Sequence, residues 1–99
     1  MRGLTMEEEA RVVILKELAK EDNKAMSSSR MQAYLLTRFL IDKPREWVEQ
    51  QYQYLKDMGA VTVVKLDTVR LARLEERGEH HISGLIKIPG VMPSSARPE

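Results

Sequence analysis

The sequence contains no cysteine, and this absence excludes disulfide bonds, thiolate metal sites and cysteine catalysis. Aromatic residues make up only 5% of the 99 residues. No apolar run approaches the ~18 residues that a membrane-spanning helix needs, and the N-terminal segment lacks the apolar core of a signal peptide. We therefore expect a cytoplasmic protein that does not insert into a membrane and that is stabilised by one packed core.

Neither sign of charge dominates the whole sequence, although local segments differ. The 16 basic and 15 acidic residues leave a net charge of +1, too small for the strong overall field of a protein that coats nucleic acid. Residues 24–45 contain five basic residues and one acidic residue, whereas residues 46–57 contain three acidic residues and one basic residue. Residues 61–74 are basic again, with three basic residues and one acidic residue. The meaning of these patches depends on where the fold places them.

Capping residues and apolar residues at helical spacing predict three helices. Thr5 and Glu8 form a capping box, in which the two side chains satisfy free backbone amides of a first turn. Ser29 and Gln32 form a second capping box. Asp42 can cap the third helix. The predicted bounds are Met6–Lys20, Arg30–Leu40 and Lys43–Met58.

After Gly59 the sequence pattern changes from helical to alternating. β-branched residues dominate Val61–Leu66 and Val69–Leu74, which predicts a hairpin with a two-residue turn at Asp67 and Thr68. A short helix is expected from Glu75 to about Gly84.

Three prolines exclude a helix from the tail, residues 87–99. We expect Ile88, Val91 and Met92 to pack on the domain or on a second subunit, and the last six or seven residues to be disordered.

Apolar positions at helical and alternating spacing predict the core. Its members are Val13, Ile14, Leu18, Leu35, Leu36, Phe39, Val48, Tyr52, Leu55, Val61, Val69 and Leu71. The apolar stripe of the first helix is wider than a surface helix needs. Together with the apolar segment Ile86–Met92, this breadth predicts a homodimer.

Three helices followed by a hairpin, with a short turn between the second and third helices, is the order of a winged helix-turn-helix. The predicted fold is mainly α with a small β-hairpin: a three-helix core, a two-stranded wing, and a short C-terminal helix and tail. We assign residues 1–84 to the winged-helix domain. Residues 85–99 form an extended, proline-containing C-terminal tail in this prediction.

Two segments resemble bacterial repressors of the ArsR and MarR families. Leu55–Val61 resembles the junction between recognition helix and wing, and Val69–Gly78 resembles the stretch that follows the wing. In length and in the proline-containing segment Lys87–Val91, the closer resemblance is to small ArsR-like proteins of Mu-like prophages. The resemblance implies a winged-helix fold and a DNA-binding transcriptional regulator of a phage or prophage.

The outward face of the third helix determines what it can bind in a major groove. Steps of ~100° from Val48 place on that face Glu46, Gln50, Gln53, Tyr54 and Asp57, with Glu49 beside them. Glutamine amides suit adenine edges, whereas carboxylates repel phosphates. The repressors that this chain resembles usually have arginine, lysine, serine or threonine here. The face therefore also fits a solvated helix, or a helix that binds a protein partner. The outward-pointing Tyr54 is a candidate for stacking on a partner.

We predict that phosphate contacts from the basic segments hold double-stranded DNA. The candidates are Lys24, Arg30, Lys43, Arg45, Lys65 and Arg70. Gln50 and Gln53 are the candidate base readers. Ser27, Ser28 and Ser29 either add neutral phosphate contacts or serve only as helix caps. For Arg30 a solvated role is the alternative.

No motif indicates catalysis or a bound cofactor. The sequence offers no nucleophile beside a base, no phosphate-binding glycine loop and no paired catalytic carboxylates. His80 and His81 are adjacent and would point about 100° apart on a helix, which is poor geometry for a metal site. We predict a non-enzymatic protein without cofactor or metal. The alternative function is a protein-interaction adaptor in phage assembly or DNA packaging that contacts another phage protein instead of DNA.

Overall fold

Four α-helices and a three-stranded antiparallel sheet form residues 5–96, the part of the chain that the computed structural model describes. In chain order the elements are α1 Met6–Lys20, β1 Ala25–Ser27, α2 Ser28–Phe39, α3 Arg45–Asp57, β2 Val61–Leu66, β3 Val69–Leu74 and α4 Glu76–Ser83, followed by a 3-10 turn at Ser94–Ala96. The prediction of a mainly helical chain with a small antiparallel hairpin is confirmed. Within these residues, no helix has both the length and the apolarity to cross a bilayer.

Local hydrogen bonds explain why α1 begins where the sequence predicts. The Thr5 Oγ1 accepts from the Glu8 amide at 3.1 Å, and the Glu8 carboxylate accepts from the Thr5 amide at 2.8 Å. The predicted capping box is therefore in place. The predicted and observed extents of this helix agree.

The second helix and the sheet differ from the prediction because a short strand precedes α2. β1 pairs with β3, so the sheet has the order β1-β3-β2 and three strands where two were predicted. α2 consequently begins at Ser28 instead of Arg30. Its cap is Ser27, whose Oγ accepts from the Arg30 amide at 3.2 Å, and the predicted cap Ser29 lies inside the helix.

α3 begins two residues later than predicted, at Arg45. Pro44 is the N-cap residue in extended conformation, so the predicted cap Asp42 lies outside the helix start. Proline has no side-chain acceptor, and α3 accordingly has no side-chain cap. The helix ends at Asp57, and Gly59 follows with a φ of +76°, the left-handed conformation that favours glycine.

α1 lies at the centre of the core and is covered by its own chain. Its buried stripe has no exposed surface and consists of Ala10, Val12, Val13, Ile14, Leu15 and Leu18. α3, α4, β1 and β3 all contact this helix. The breadth of this stripe, which predicted a shared interface, is therefore accounted for within one chain. The homodimer stays a prediction, and it requires a different surface.

Most of the predicted core is buried, as for Val13, Ile14, Leu18, Leu35, Val48, Tyr52, Leu55 and Val61. Leu36 is 43% exposed, so its assignment to the core was wrong. α2 buries Met31 and Leu35 instead, and Leu36 lies one helical step away from that face. Phe39, Val69 and Leu71 are only half-buried. The two β3 residues alternate with the buried Ala72 and Leu74 and so lie on the outer face of the sheet.

The C-terminal tail packs on its own domain. Ile88 and Val91 are buried and Met92 is half-buried, which agrees with their predicted packing. Ser94–Ala96 form a turn, and the Lys16 Nζ donates to the Ser94 carbonyl at 3.1 Å. The prediction of disorder is therefore wrong for these residues, while residues 97–99 lie outside the described part.

Tyr54 is half-buried against this tail, which corrects its predicted outward, partner-stacking role. Its Oη donates to the Pro89 carbonyl at 2.7 Å, and Arg11 donates to the Gly90 carbonyl at 2.8 Å. The Arg11 guanidinium also lies 3.7 Å from the centre of the Tyr54 ring. A Cβ on Gly90 would collide with the Tyr54 Oη, so this close approach requires glycine.

His81 of α4 is 2% exposed and joins two points of the tail. The Ile88 amide donates to its Nδ1 at 3.0 Å, so this nitrogen bears no proton. The Nε2 therefore bears the proton and donates to the Met92 carbonyl at 2.9 Å. The sequence analysis assigns no metal-binding role to His81. In the structure this histidine fastens the tail to α4.

Replacing His81 by alanine should lower the free energy of unfolding by roughly 2–4 kcal/mol, because it leaves a cavity and two buried backbone groups without partners. Urea denaturation measures this change. The neighbouring variant His80→Ala is the control, since the His80 side chain is partly exposed and should matter by less than about 0.5 kcal/mol. Equal effects of the two variants would contradict the fastening role of His81.

Candidate nucleic-acid interface

α3 has one face in the core and one face in solvent. Val48, Tyr52 and Leu55 are fully buried. On the opposite side, three exposed residues form a polar strip: Glu46, Gln50 and Gln53. Positions three and four residues apart lie along one side of a helix, so these side chains are neighbours. Their exposure agrees with the predicted outward face.

A cleft of about 290 Å³ separates the polar strip from the sheet. It is lined by Glu46, Glu49, Gln50 and Gln53 of α3 and by Arg70 of β3. Arg70 lies directly opposite Lys65 in the β2–β3 register, and such cross-strand partners project from the same face of a sheet. Arg70 therefore gives the wall that faces the glutamines a positive charge, and Lys65 lies beside it on the neighbouring strand.

Ser28, the first residue of α2, connects the two walls of this cleft. It is completely buried, and its Oγ donates to the Glu49 carboxylate at 2.7 Å while accepting from the Arg70 amide at 3.1 Å. The Arg45 Nε forms an ion pair with the same Glu49 oxygen at 3.5 Å. Glu49 is thus satisfied within the chain, and buried Ser28 cannot contact phosphate as its sequence position suggested.

Tyr52 fixes α3 against the start of α2 from below the cleft. Its Oη lies 3.0 Å from the Met26 carbonyl and 3.3 Å from the Ser27 carbonyl, to which it donates. Burial raises the pKa of the Tyr52 phenol, and the Glu49 carboxylate acts in the same direction. The phenol therefore remains a neutral donor at physiological pH.

The side chains of the polar strip differ in whether they have a hydrogen-bond partner among residues 5–96. The Gln53 amide donates to Asp57 at 2.9 Å, an i to i+4 contact on the helix surface. Glu46 and Gln50 are exposed, and among residues 5–96 their side chains make no hydrogen bond or ion pair. The free groups of the strip are therefore one carboxylate and one amide, one helical turn apart.

The other predicted cations lie away from the cleft or have partners in the chain. Lys24 follows α1, and its Nζ donates to the Ala19 carbonyl at 3.2 Å. Arg30 donates to Glu21 and to the Tyr34 Oη, both at 2.8 Å, and the Tyr34 hydrogen bond and the Glu21 charge raise the pKa of Arg30. The Lys43 Nζ lies 5.8 Å from the centre of the Trp47 ring.

The structure thus brings together part of the predicted set. Gln50, Gln53 and Arg70 line one cleft, Lys65 is paired with Arg70 across the strands, and Arg45 lies beside Glu49. Lys24 and Arg30 are near the turn between α1 and β1, and Lys43 precedes α3. The linking role of Ser28 was not predicted. Its partners are 21 and 42 residues away, a separation for which the sequence has no local signal.

Comparison of the chain with models of protein families, with curated proteins and with solved structures gave no match. The resemblance to ArsR-like proteins therefore stays a prediction. Within residues 5–96, no three histidine, aspartate or glutamate side chains converge on a possible metal position.

Replacing Ser28 by alanine should lower the free energy of unfolding by roughly 1–3 kcal/mol, because the Arg70 amide and the Glu49 carboxylate lose a buried partner. Ser29→Ala is a matched control, since Ser29 is exposed in the same helical turn, and it should change stability by less than about 0.5 kcal/mol. Thermal or urea unfolding distinguishes the two. A Ser28 variant as stable as the Ser29 variant would contradict the link described above.

Proposed function

We propose that this chain is a non-enzymatic, winged helix-turn-helix protein that binds double-stranded DNA, with α3 as its recognition helix. The observation that supports this proposal best is the cleft in which exposed glutamine side chains of α3 face Arg70, whose cross-strand partner is Lys65. Glutamine amides suit base edges, and cations of the hairpin suit the adjacent phosphates.

The arrangement of elements supports the winged-helix interpretation. α2 and α3 are joined by residues 40–44 and pack on one another, and the β2–β3 hairpin follows α3 directly. β1 extends this hairpin to three strands and leads into α2. In such an arrangement the hairpin is the wing and lies beside the recognition helix.

The charges of α3 are less unfavourable for DNA than the sequence suggested. Glu49 is paired with Arg45 and Ser28, and Asp57 accepts from Gln53, so Glu46 is the remaining carboxylate of α3 without such a contact within residues 5–96. Phosphate binding then rests on Lys65 and Arg70 first. Arg30 and Arg45 would each have to share or exchange an internal acidic partner. We therefore expect weak binding that is strongly dependent on salt.

The proposed role is that of a phage or prophage transcriptional regulator, in keeping with the resemblance to ArsR-like proteins. A homodimer belongs to this proposal. Each module makes one weak groove contact, and two linked modules bind DNA with higher affinity than one module does.

A second function, a protein-interaction adaptor in phage assembly or DNA packaging, is favoured by one observation. Two of the predicted phosphate contacts, Arg30 and Arg45, are already neutralised by glutamates of the same chain. In that case the polar strip of α3, together with the exposed Asp57 near the end of the helix, would face a basic protein partner instead of DNA.

The salt dependence of binding to a duplex separates the two functions. The wild-type chain should lose affinity steeply as salt rises, and Lys65→Ala should reduce the slope of log K against log salt by about one, since each phosphate contact contributes about 0.9. Lys87→Ala is the matched control, because Lys87 is an exposed lysine of the tail and does not belong to the β2–β3 hairpin.

An unchanged slope for Lys65→Ala, or an equal change for the control, would contradict the placement of DNA at the hairpin. If no duplex binds even at ~50 mM salt, where counterion release is most favourable, the DNA proposal fails and the adaptor function replaces it.

A further inference from the structure

We infer that Glu46 is a specificity-determining residue of the proposed DNA-binding surface and that it selects a base bearing an amino group in the major groove, cytosine or adenine. This inference rests on the proposed function. It turns the acidic character of α3, which is unfavourable for general affinity, into a means of discrimination between bases.

Glu46 lies at the start of α3. It is the second residue of α3, and the N-terminal residues of a recognition helix are those that contact base edges. Its side chain is exposed at the mouth of the cleft, with no hydrogen bond or ion pair to another of residues 5–96. It is therefore available to a ligand without loss of an internal contact.

The carboxylate of Glu46 favours some bases over others. A carboxylate accepts hydrogen bonds and donates none. In the major groove, the N4 amino group of cytosine and the N6 amino group of adenine are donors, whereas guanine presents the N7 and O6 acceptors and thymine presents O4 and a methyl group. A carboxylate at this position is therefore attracted by cytosine or adenine and repelled by guanine.

The other carboxylates of α3 do not compete for this role. Glu49 accepts from the Ser28 hydroxyl at 2.7 Å and pairs with Arg45, and Asp57 accepts from Gln53 at 2.9 Å. Substitution of Glu46 therefore isolates the effect of one carboxylate.

Gln50 places a second constraint on the bound sequence. It lies four residues after Glu46, which is about 6 Å along a helix axis and so within roughly two base steps of 3.4 Å. An amide that both donates and accepts suits the N6 and N7 of adenine. The preferred site should thus contain an adenine within about two steps of the base that Glu46 contacts.

Selection of bound fragments from random duplex DNA tests this inference. The wild-type chain should select cytosine or adenine at one position, and Glu46→Ala should weaken the preference there by roughly five- to tenfold, because alanine offers no acceptor for the amino group of the base. Binding to random DNA should not weaken, since a negative charge has been removed.

Glu79→Ala is the matched control. It removes the same charge at an exposed site on α4 that does not line the cleft, and it should leave the selected sequence unchanged. A thermal unfolding curve for each variant establishes that it is folded. A selected sequence that Glu46→Ala leaves unchanged would overturn the inference while the proposed function stands. If the wild-type chain retains no duplex, the inference and the proposed function are both overturned.

Discussion

The burial of α1 is the constraint on which the rest of the structure depends. Its apolar stripe has no exposed surface, and a single layer of helices cannot cover so broad a stripe. The sheet, α3, α4 and the tail are therefore all used to enclose it. Removal of an apolar helix face from water is the largest favourable contribution available to a chain without disulfides.

This constraint explains why the tail and α3 have different roles. The tail is held by Tyr54, Arg11 and His81 and completes the cover of α1. α3 contributes its Val48 and Leu55 face to the same core and leaves its opposite face in solvent. The surface available for a partner is thus the one that the core does not use. Ser28 and Glu49 then set the distance between this surface and the sheet.

Features of the fold that depend on neighbouring residues could be predicted from the sequence. The Thr5 and Glu8 capping box is a contact over three residues, and it fixed the start of α1. The alternation of Val61–Leu74 predicted both strands of the hairpin. The exposure of Glu46, Gln50 and Gln53 followed from helical spacing for the same reason, whereas Tyr54 was predicted to point outward and packs on the tail.

Features that depend on distant residues could not be predicted in the same way. β1 is three residues long, and its pairing of Ala25 with Arg73 has no counterpart in a local pattern. A sequence pattern that gives no sign of β1 cannot tell which of the three consecutive serines caps α2. The helix was therefore predicted to begin at Arg30, whereas it begins at Ser28. The satisfaction of Glu49 by Ser28 is a similar case, and it changes the electrostatic character of the candidate site.

The central claim is that the cleft between α3 and the β2–β3 hairpin is the surface that binds DNA. Titration of the isotope-labelled protein with a short duplex at low salt, followed by NMR, tests it most directly. The account predicts that the amides of Glu46, Gln50 and Arg70 shift early, while those of Ile88 and Val91 in the tail stay in place. Shifts confined to the tail and α4, or no shifts at a duplex concentration that saturates binding, would contradict it.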